Sequence, residues 1–181
     1  MYRGCPNPIA VRHDERGGPQ ATVLIPTINN PHELRVVLEH LIRDSDGTYD
    51  IIVIDSSSNS ETSDLCSELG VERIADSSRT RADACNNGLS SVETPYTLFT
   101  DDDVIPPSDW VKTLIRWFDR EHVAGVGGTN FSPEEDPWLS KCTDVAFGAR
   151  VMTAGTRYGA RPDGELVEVT HNPGVNVAYR T

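Results

Sequence analysis

Lysine is nearly absent from this chain: Lys112 and Lys141 are the only two, and every other basic side chain is an arginine. With 16 Lys and Arg against 28 Asp and Glu, the formal net charge is -12. No clustered basic face is available to neutralise phosphates, which excludes nucleic acid as a partner and argues against binding driven by an anionic membrane surface. Carboxylates are then the main source of surface hydration, a balance that fits a high-salt cytoplasm. No stretch approaches the roughly 20 apolar residues of a membrane-spanning helix. Met1 to Gly18, rich in Gly, Pro and charge, lacks the apolar core of a secretory signal. Cys5, Cys66, Cys85 and Cys142 are too scattered for a structural zinc site or a redox motif, so they read as free thiols of a reducing compartment. The expected location is the cytoplasm, with a peripheral position at the inner face of the membrane, through a membrane-associated partner or acceptor, left open.

A length of 181 residues suits one α/β domain with a substantial core. After a polar leader over residues 1–20, Ala21 to Pro26 reads as a strand that turns through Thr27, Ile28 and Asn29. Asn30, Pro31 and Glu33 supply a cap, a first-turn proline and a capping-box acid ahead of Leu34, Val37, Leu38 and Leu41 at helical spacing. Ile51 to Ile54 is continuously apolar up to Asp55, as expected of a strand buried on both faces. The pattern then predicts a helix over Glu61 to Leu69, a weaker strand over Val71 to Ile74, a helix over Thr80 to Leu89 and a strand over Tyr96 to Thr100. Ser108 is read as the cap of a further helix carrying Val111, Leu114, Ile115 and Phe118, with a strand over Val123 to Val126 after it. Such alternation implies βαβ units, hence an α/β fold with a mainly parallel sheet and flanking helices. Beyond Gly128 the rhythm breaks. Asn130 to Pro137 reads as a loop, Trp138, Cys142, Val145, Ala149 and Met152 as one helix face, Arg161 to Gly164 as a turn, and Leu166 to Thr170 as a short strand.

Open parallel sheets bind ligands beyond the carboxyl ends of their strands. Three polar clusters fall at such ends: Pro26-Thr27, Asp55 with Ser56, Ser57 and Ser58, and Asp101-Asp102-Asp103. On an extended segment Asp101 and Asp103 point to one side, where their charges repel unless a cation or a proton intervenes. Manganese or magnesium takes one or two carboxylates plus substrate phosphate oxygens, so the pair suits a diphosphate-bearing substrate. The alternative, that the acids cap a turn ahead of Pro106 and Pro107, stays open. Asp55 either accepts hydrogen bonds from a base or ribose or caps its own loop. Arg81, near Arg79, either pairs with phosphate or a base carbonyl or is a solvated helix-end arginine. His171 reads as a surface residue, because no partner at a defined spacing supports a general base. Trp110 and Trp117 read as packing residues, and Trp138 as the better candidate for stacking on a sugar ring.

Taken in order, Thr22-Val23-Leu24-Ile25-Pro26-Thr27, Ile52-Val53-Ile54-Asp55, Asn86-Asn87-Gly88 and Leu98-Phe99-Thr100-Asp101-Asp102-Asp103-Val104-Ile105-Pro106 resemble the family 2 glycosyltransferases of the GT-A fold. Pro173 to Arg180 is similar to that family's acceptor-side segment. The resemblance divides residues 21–181 into a donor-binding half, 21–128, and a partial acceptor-side region, 129–181. It implies a nucleotide-diphosphate sugar donor, with Pro26 and Thr27 flanking the nucleotide, Asp55 at the base, and Arg81 and Asp102 among the nucleotide-sugar contacts. It places Asp101 by the ribose or metal and Asp103 on Mn2+ or Mg2+. The implied reaction is an inverting transfer to an acceptor hydroxyl, the metal steadying the departing diphosphate and an Asp or Glu taking the proton. Two departures stand out. Cys85 occupies a position where the family often has Arg, and the acidic catalytic motif is expected beyond Thr181. A non-catalytic nucleotide-sugar-binding module is the alternative. Sugar-phosphate nucleotidyl transfer would call for a Gly-rich loop after the first strand, which Pro26 to Asn30 does not supply. A phosphatase Asp-x-Asp nucleophile would follow the first strand rather than the fourth.

Overall fold

A computed structural model describes residues 18–78, 80–149, 168–169 and 171–181. The first seven elements alternate: β1 (Ala21–Thr27), α1 (Pro31–Asp44), β2 (Tyr49–Asp55), α2 (Glu61–Leu69), β3 (Glu72–Ala75), α3 (Arg81–Leu89) and β4 (Tyr96–Phe99). They are followed by α4 (Trp110–Ile115), a 3-10 turn at Arg116–Asp119, β5 (Gly125–Gly127), α5 (Trp138–Gly148) and β6 (Val177–Arg180). The strands form one sheet in the order β3-β2-β1-β4-β6-β5. β1, β2, β3 and β4 are parallel, while β6 runs antiparallel to both β4 and β5. The mainly parallel α/β sheet expected from the sequence is therefore present.

Successive side chains of a strand point to opposite faces, and here both faces are covered. Val23 and Ile25 of β1, Val53 of β2 and Leu98 of β4 pack with Leu34, Val37, Leu38 and Leu41 of α1 and with the apolar side of α4. Leu24, Ile52 and Ile54 face the other way, onto Ala84 of α3. Each fully buried aliphatic side chain contributes roughly 1.5–3 kcal/mol, so α1 is held by its four buried residues more than by its caps. Gly88 lets α3 lie close to the sheet, since a Cβ there would stand 2.7 Å from Ile54 Cγ1 and 3.4 Å from Leu24 Cδ1. The start of α3, and with it Arg81, is thereby brought to the carboxyl end of β1.

Several local expectations change. Asn30 precedes α1 without capping it, because its side chain hydrogen-bonds Asp102 instead. Asp109, not Ser108, precedes α4, in the left-handed region at φ 58 and anchored by its N–H to Asp44 Oδ2 at 2.9 Å. Val177–Arg180 is an internal strand that apolar patterning did not reveal, since only Val177 and Ala178 are buried. The helix at Trp138 exists, but Trp138 and Val145 of its expected inner face are 75% and 76% exposed. Cys5, Arg79, Met152 and the turn at Arg161 to Gly164 lie outside the described residues. So does most of the expected strand at Leu166 to Thr170, of which Glu168 and Val169 are described and irregular. Among the described residues no helix is long and apolar enough to cross a membrane.

Candidate functional site

The carboxyl ends of β1 and β4 and the start of α3 enclose a cleft of ≈ 280 Å³. Pro26, Thr27, Arg81, Asp101, Asp102 and Asp103 all line it, together with Ser56 and Ser78. Six residues from three separate motifs thus meet in one place. The triplet is not extended, as the sequence reading assumed. It forms a turn, closed by Val104 N–H donating to Asp101 O at 3.4 Å, because the chain must leave β4 toward Pro106 and Pro107. The turn and the cleft coexist, and the three carboxylates take different roles within it.

Asp102 is half-buried and accepts from Thr27 Oγ1 at 2.5 Å and from Asn30. Burial raises its pKa; the Thr27 and Asn30 hydrogen bonds oppose the rise, and the Asp103 and Asp101 charges add to it. Asp101 accepts from Arg81 Nε at 2.8 Å, with Arg81 Nη2 at 2.6 Å from the same oxygen. With side chains 42% and 36% exposed, that pair is worth only about 0–1 kcal/mol. Asp103 is exposed and, among the described residues, makes no hydrogen bond or ion pair. Two carboxylates facing open space, one unpaired and one weakly paired, are a donor set that fits a hard divalent cation completing its shell with phosphate and water. Among the described residues no group of three or more His, Cys, Asp or Glu side chains forms a closed metal site. A cation held here would have to share its shell with a ligand.

Asp55 ends β2 beside the cleft without lining it. Its side chain is 1% exposed, pairs with Arg73 Nε at 3.0 Å and accepts from Ser57 N–H at 2.9 Å. The rim above it is pinned by Asn29, which adopts φ 52, donates its N–H to Ser57 Oγ at 2.8 Å and accepts from Ser58 N–H at 3.1 Å. Trp110 is buried and Trp117 packs on the core, as read. Trp138 and His171 are exposed and stand outside the cleft. Burial pushes the Cys85 thiol up, so it stays protonated where an arginine was expected.

Sequence reasoning missed Asp76. It directly follows β3, as Asp55 closes β2 and Asp101 closely follows β4, and that recurrence was the available signal. Asp76 accepts from Ser56 Oγ at 2.8 Å, from Asn87 Nδ2 at 2.5 Å and from Ser78, tying two cleft serines to α3. Asn176 was also missed as an anchor. In the left-handed region at φ 60, it accepts from Trp110 Nε1 at 2.7 Å and donates to Thr129 O at 2.9 Å.

The sequence profile described as Glycosyl transferase family 2 matches residues 22–179. No curated protein matches the chain. Among solved structures, a mannosyltransferase from Pyrobaculum calidifontis in complex with GDP-Man and Mn2+ is similar at TM-score 0.57 and 22% identity, over 65% of this chain and 37% of that one. Glucosyl-3-phosphoglycerate synthase from Mycobacterium tuberculosis in complex with UDP is similar at TM-score 0.59 and 16% identity, over 90% and 57%. Mannosyl-3-phosphoglycerate synthase from Rubrobacter xylanophilus is similar at TM-score 0.60 and 12% identity, over 89% and 53%. The chain matches about half or less of the length of these structures, and at such identities the likeness establishes the fold. Profile, sheet order and cleft together make this chain a member of glycosyl transferase family 2 with the GT-A fold.

Proposed function

We propose that the cleft binds the nucleotide-diphosphate part of a sugar donor together with Mn2+ or Mg2+, in a glycosyltransferase that moves the sugar to an acceptor hydroxyl with inversion. The observation that carries this reading is the convergence of Pro26, Thr27, Arg81 and three carboxylates on one cleft at the strands' carboxyl ends. Pro26 and Thr27 flank the nucleotide, and Asp55 takes the base if its pair with Arg73 is exchanged for base contacts. Asp101 and Asp103 hold the cation, while Asp102, fixed by Thr27 and Asn30, supports the loop that presents them. A bound divalent cation supplies Lewis-acid stabilisation of the departing diphosphate. Arg81 adds hydrogen bonds to the phosphates. Deprotonation of the acceptor is assigned to none of these residues.

Support also comes from similar structures in complexes with GDP-Man and Mn2+ and with UDP. A thermal-shift screen of UDP, GDP, ADP and CDP, each with manganese and with a chelator, tests the reading and selects the base. Stabilisation by one nucleotide, in manganese only, is expected. Equal stabilisation with the chelator would remove the cation from the proposal. Donor binding with no release of sugar, in the presence of any acceptor, would favour the non-catalytic module.

A further inference from the structure

Arg81 is the cationic side chain that, among the described residues, pairs with the acidic triplet, and it does more than neutralise it. Its Nε and Nη2 both reach one oxygen of Asp101, while Nη2 also donates to the carbonyl of Gly174 at 2.8 Å, 93 residues away. Gly174 allows this approach: a Cβ there would stand 3.1 Å from Arg81 Nη1. The guanidinium therefore has two attachments of different kinds, one to a charge that a cation would claim and one to a backbone carbonyl that it would leave alone.

We propose that Arg81 is a displaceable counter-cation. It neutralises Asp101 while the cleft is empty. It gives that carboxylate up to a divalent cation, and it turns its freed N–H groups to the donor's diphosphate, held near the cleft by Gly174. This inference rests on the reading of the cleft as a cation-dependent diphosphate site. A cation on Asp101 faces the guanidinium at a few ångströms, so bare cation binding is opposed by charge repulsion as well as by loss of the ion pair. Once diphosphate arrives, the same guanidinium lies beside negative charge and favours the assembly. Cation and nucleotide then depend on each other through this side chain as well as through the shared coordination shell, and by linkage each must raise the other's affinity by the same factor.

The sign of this effect separates it from a structural role. Titrating Mn2+ alone into the full chain, followed by the paramagnetic signal of the free ion, Arg81→Gln should bind the bare ion roughly tenfold tighter than wild type. The factor by which UDP or GDP strengthens Mn2+ binding should fall well below the wild-type factor, leaving the part that direct phosphate coordination supplies. Arg81→Lys keeps the charge and loses the fork, so its affinity for bare Mn2+ should stay near the wild-type value. Both variants keep the Thr80 cap, whose side chain accepts from Asp83 N–H and starts α3 without Arg81. In the wild-type chain, the Arg81 Nε–H resonance should shift when Mg2+ is added without nucleotide. Unchanged or weaker Mn2+ binding by Arg81→Gln overturns the proposal, as does an Arg81 resonance indifferent to Mg2+. If nucleotide strengthens Mn2+ binding equally in wild type and Arg81→Gln, the counter-cation role fails and the donor site stands. If it strengthens binding in neither, the reading of the cleft fails with it.

Discussion

Residues 21–128 bury side chains on both faces of their strands, whereas Pro173 to Thr181 depends on partners supplied by that first region. Leu24, Ile25, Val53, Ile54 and Leu98 are 0% exposed, between α1 and α4 on one side and α3 on the other. In α5, by contrast, Trp138, Leu139 and Val145 are 75%, 62% and 76% exposed. The segment from Pro173 to Thr181 is ordered by distant contacts: Arg81 with Gly174, Trp110 with Asn176, Gly128 N–H with Asn176 O, and Thr97 with Thr181. The first region carries most of the core, and β6 of the second fills the place between β4 and β5 in the same sheet. Residues 21–128 thus supply most of the frame, and the Pro173–Thr181 segment is placed by hydrogen bonds to it.

The comparison breaks most visibly if a core residue of the frame is truncated. Leu24→Ala should lower stability by about 2–5 kcal/mol in urea denaturation, through lost transfer energy plus a cavity under α3. A smaller loss is expected where the two regions join. Trp110→Phe leaves Asn176 Oδ1 without its donor, and should lower stability by roughly 1–3 kcal/mol while loosening the Pro173–Asn176 segment to proteolysis.

Two carboxylates of the frame should respond to acid in opposite directions. Burial pushes Asp76 up, but hydrogen bonds from Ser78, Ser56 and Asn87 outweigh it and hold the pKa below the usual carboxylate range. Its contribution is present above the unfolded-state pKa and is lost as pH falls through the lowered folded value. Asp102 is raised, mainly by burial, so its folded state is favoured below the unfolded pKa and that advantage is lost as pH rises through the raised folded value. Urea midpoints taken from about pH 7 to pH 3 should therefore show Asp76→Asn flattening the acid-side loss of stability. Asp102→Asn should gain most at neutral pH, with the gain fading in acid. The smallest effect belongs to α5: Trp138→Ala should change stability by no more than about 0.5 kcal/mol, and a larger loss would mean that α5 is covered.

Legibility in the sequence follows the same division. Continuous apolar runs mark the strands because both sheet faces are buried, period-3.6 patterns mark the helices laid on those faces, and from Ala21 to Phe118 they gave the strands and helices in order. The pairing of Thr27 with Asp102 was out of reach, since nothing in spacing relates positions 75 residues apart. Asp76 was overlooked because its strand, β3, has no fully buried residue and so a weak apolar pattern. β6 escaped because a four-residue strand between two neighbours needs only two buried side chains, Val177 and Ala178. The acidic triplet was legible as a cluster, but not as a turn in which Asp102 faces protein while Asp101 and Asp103 stay available. That distinction comes from Thr27 and Asn30, which a linear pattern cannot place beside it.

The central claim is that Asp101 and Asp103 hold a cation that the cleft needs in order to bind a nucleoside diphosphate. Calorimetric titration of UDP and GDP into the wild-type chain and Asp103→Asn, with and without Mn2+, tests it directly. The account predicts manganese-dependent binding of one nucleotide to the wild-type chain, and loss of most of that dependence in Asp103→Asn, which keeps the fold and removes one ligand charge. Equal affinity with and without manganese, or an Asp103→Asn chain as manganese-dependent as wild type, would contradict it.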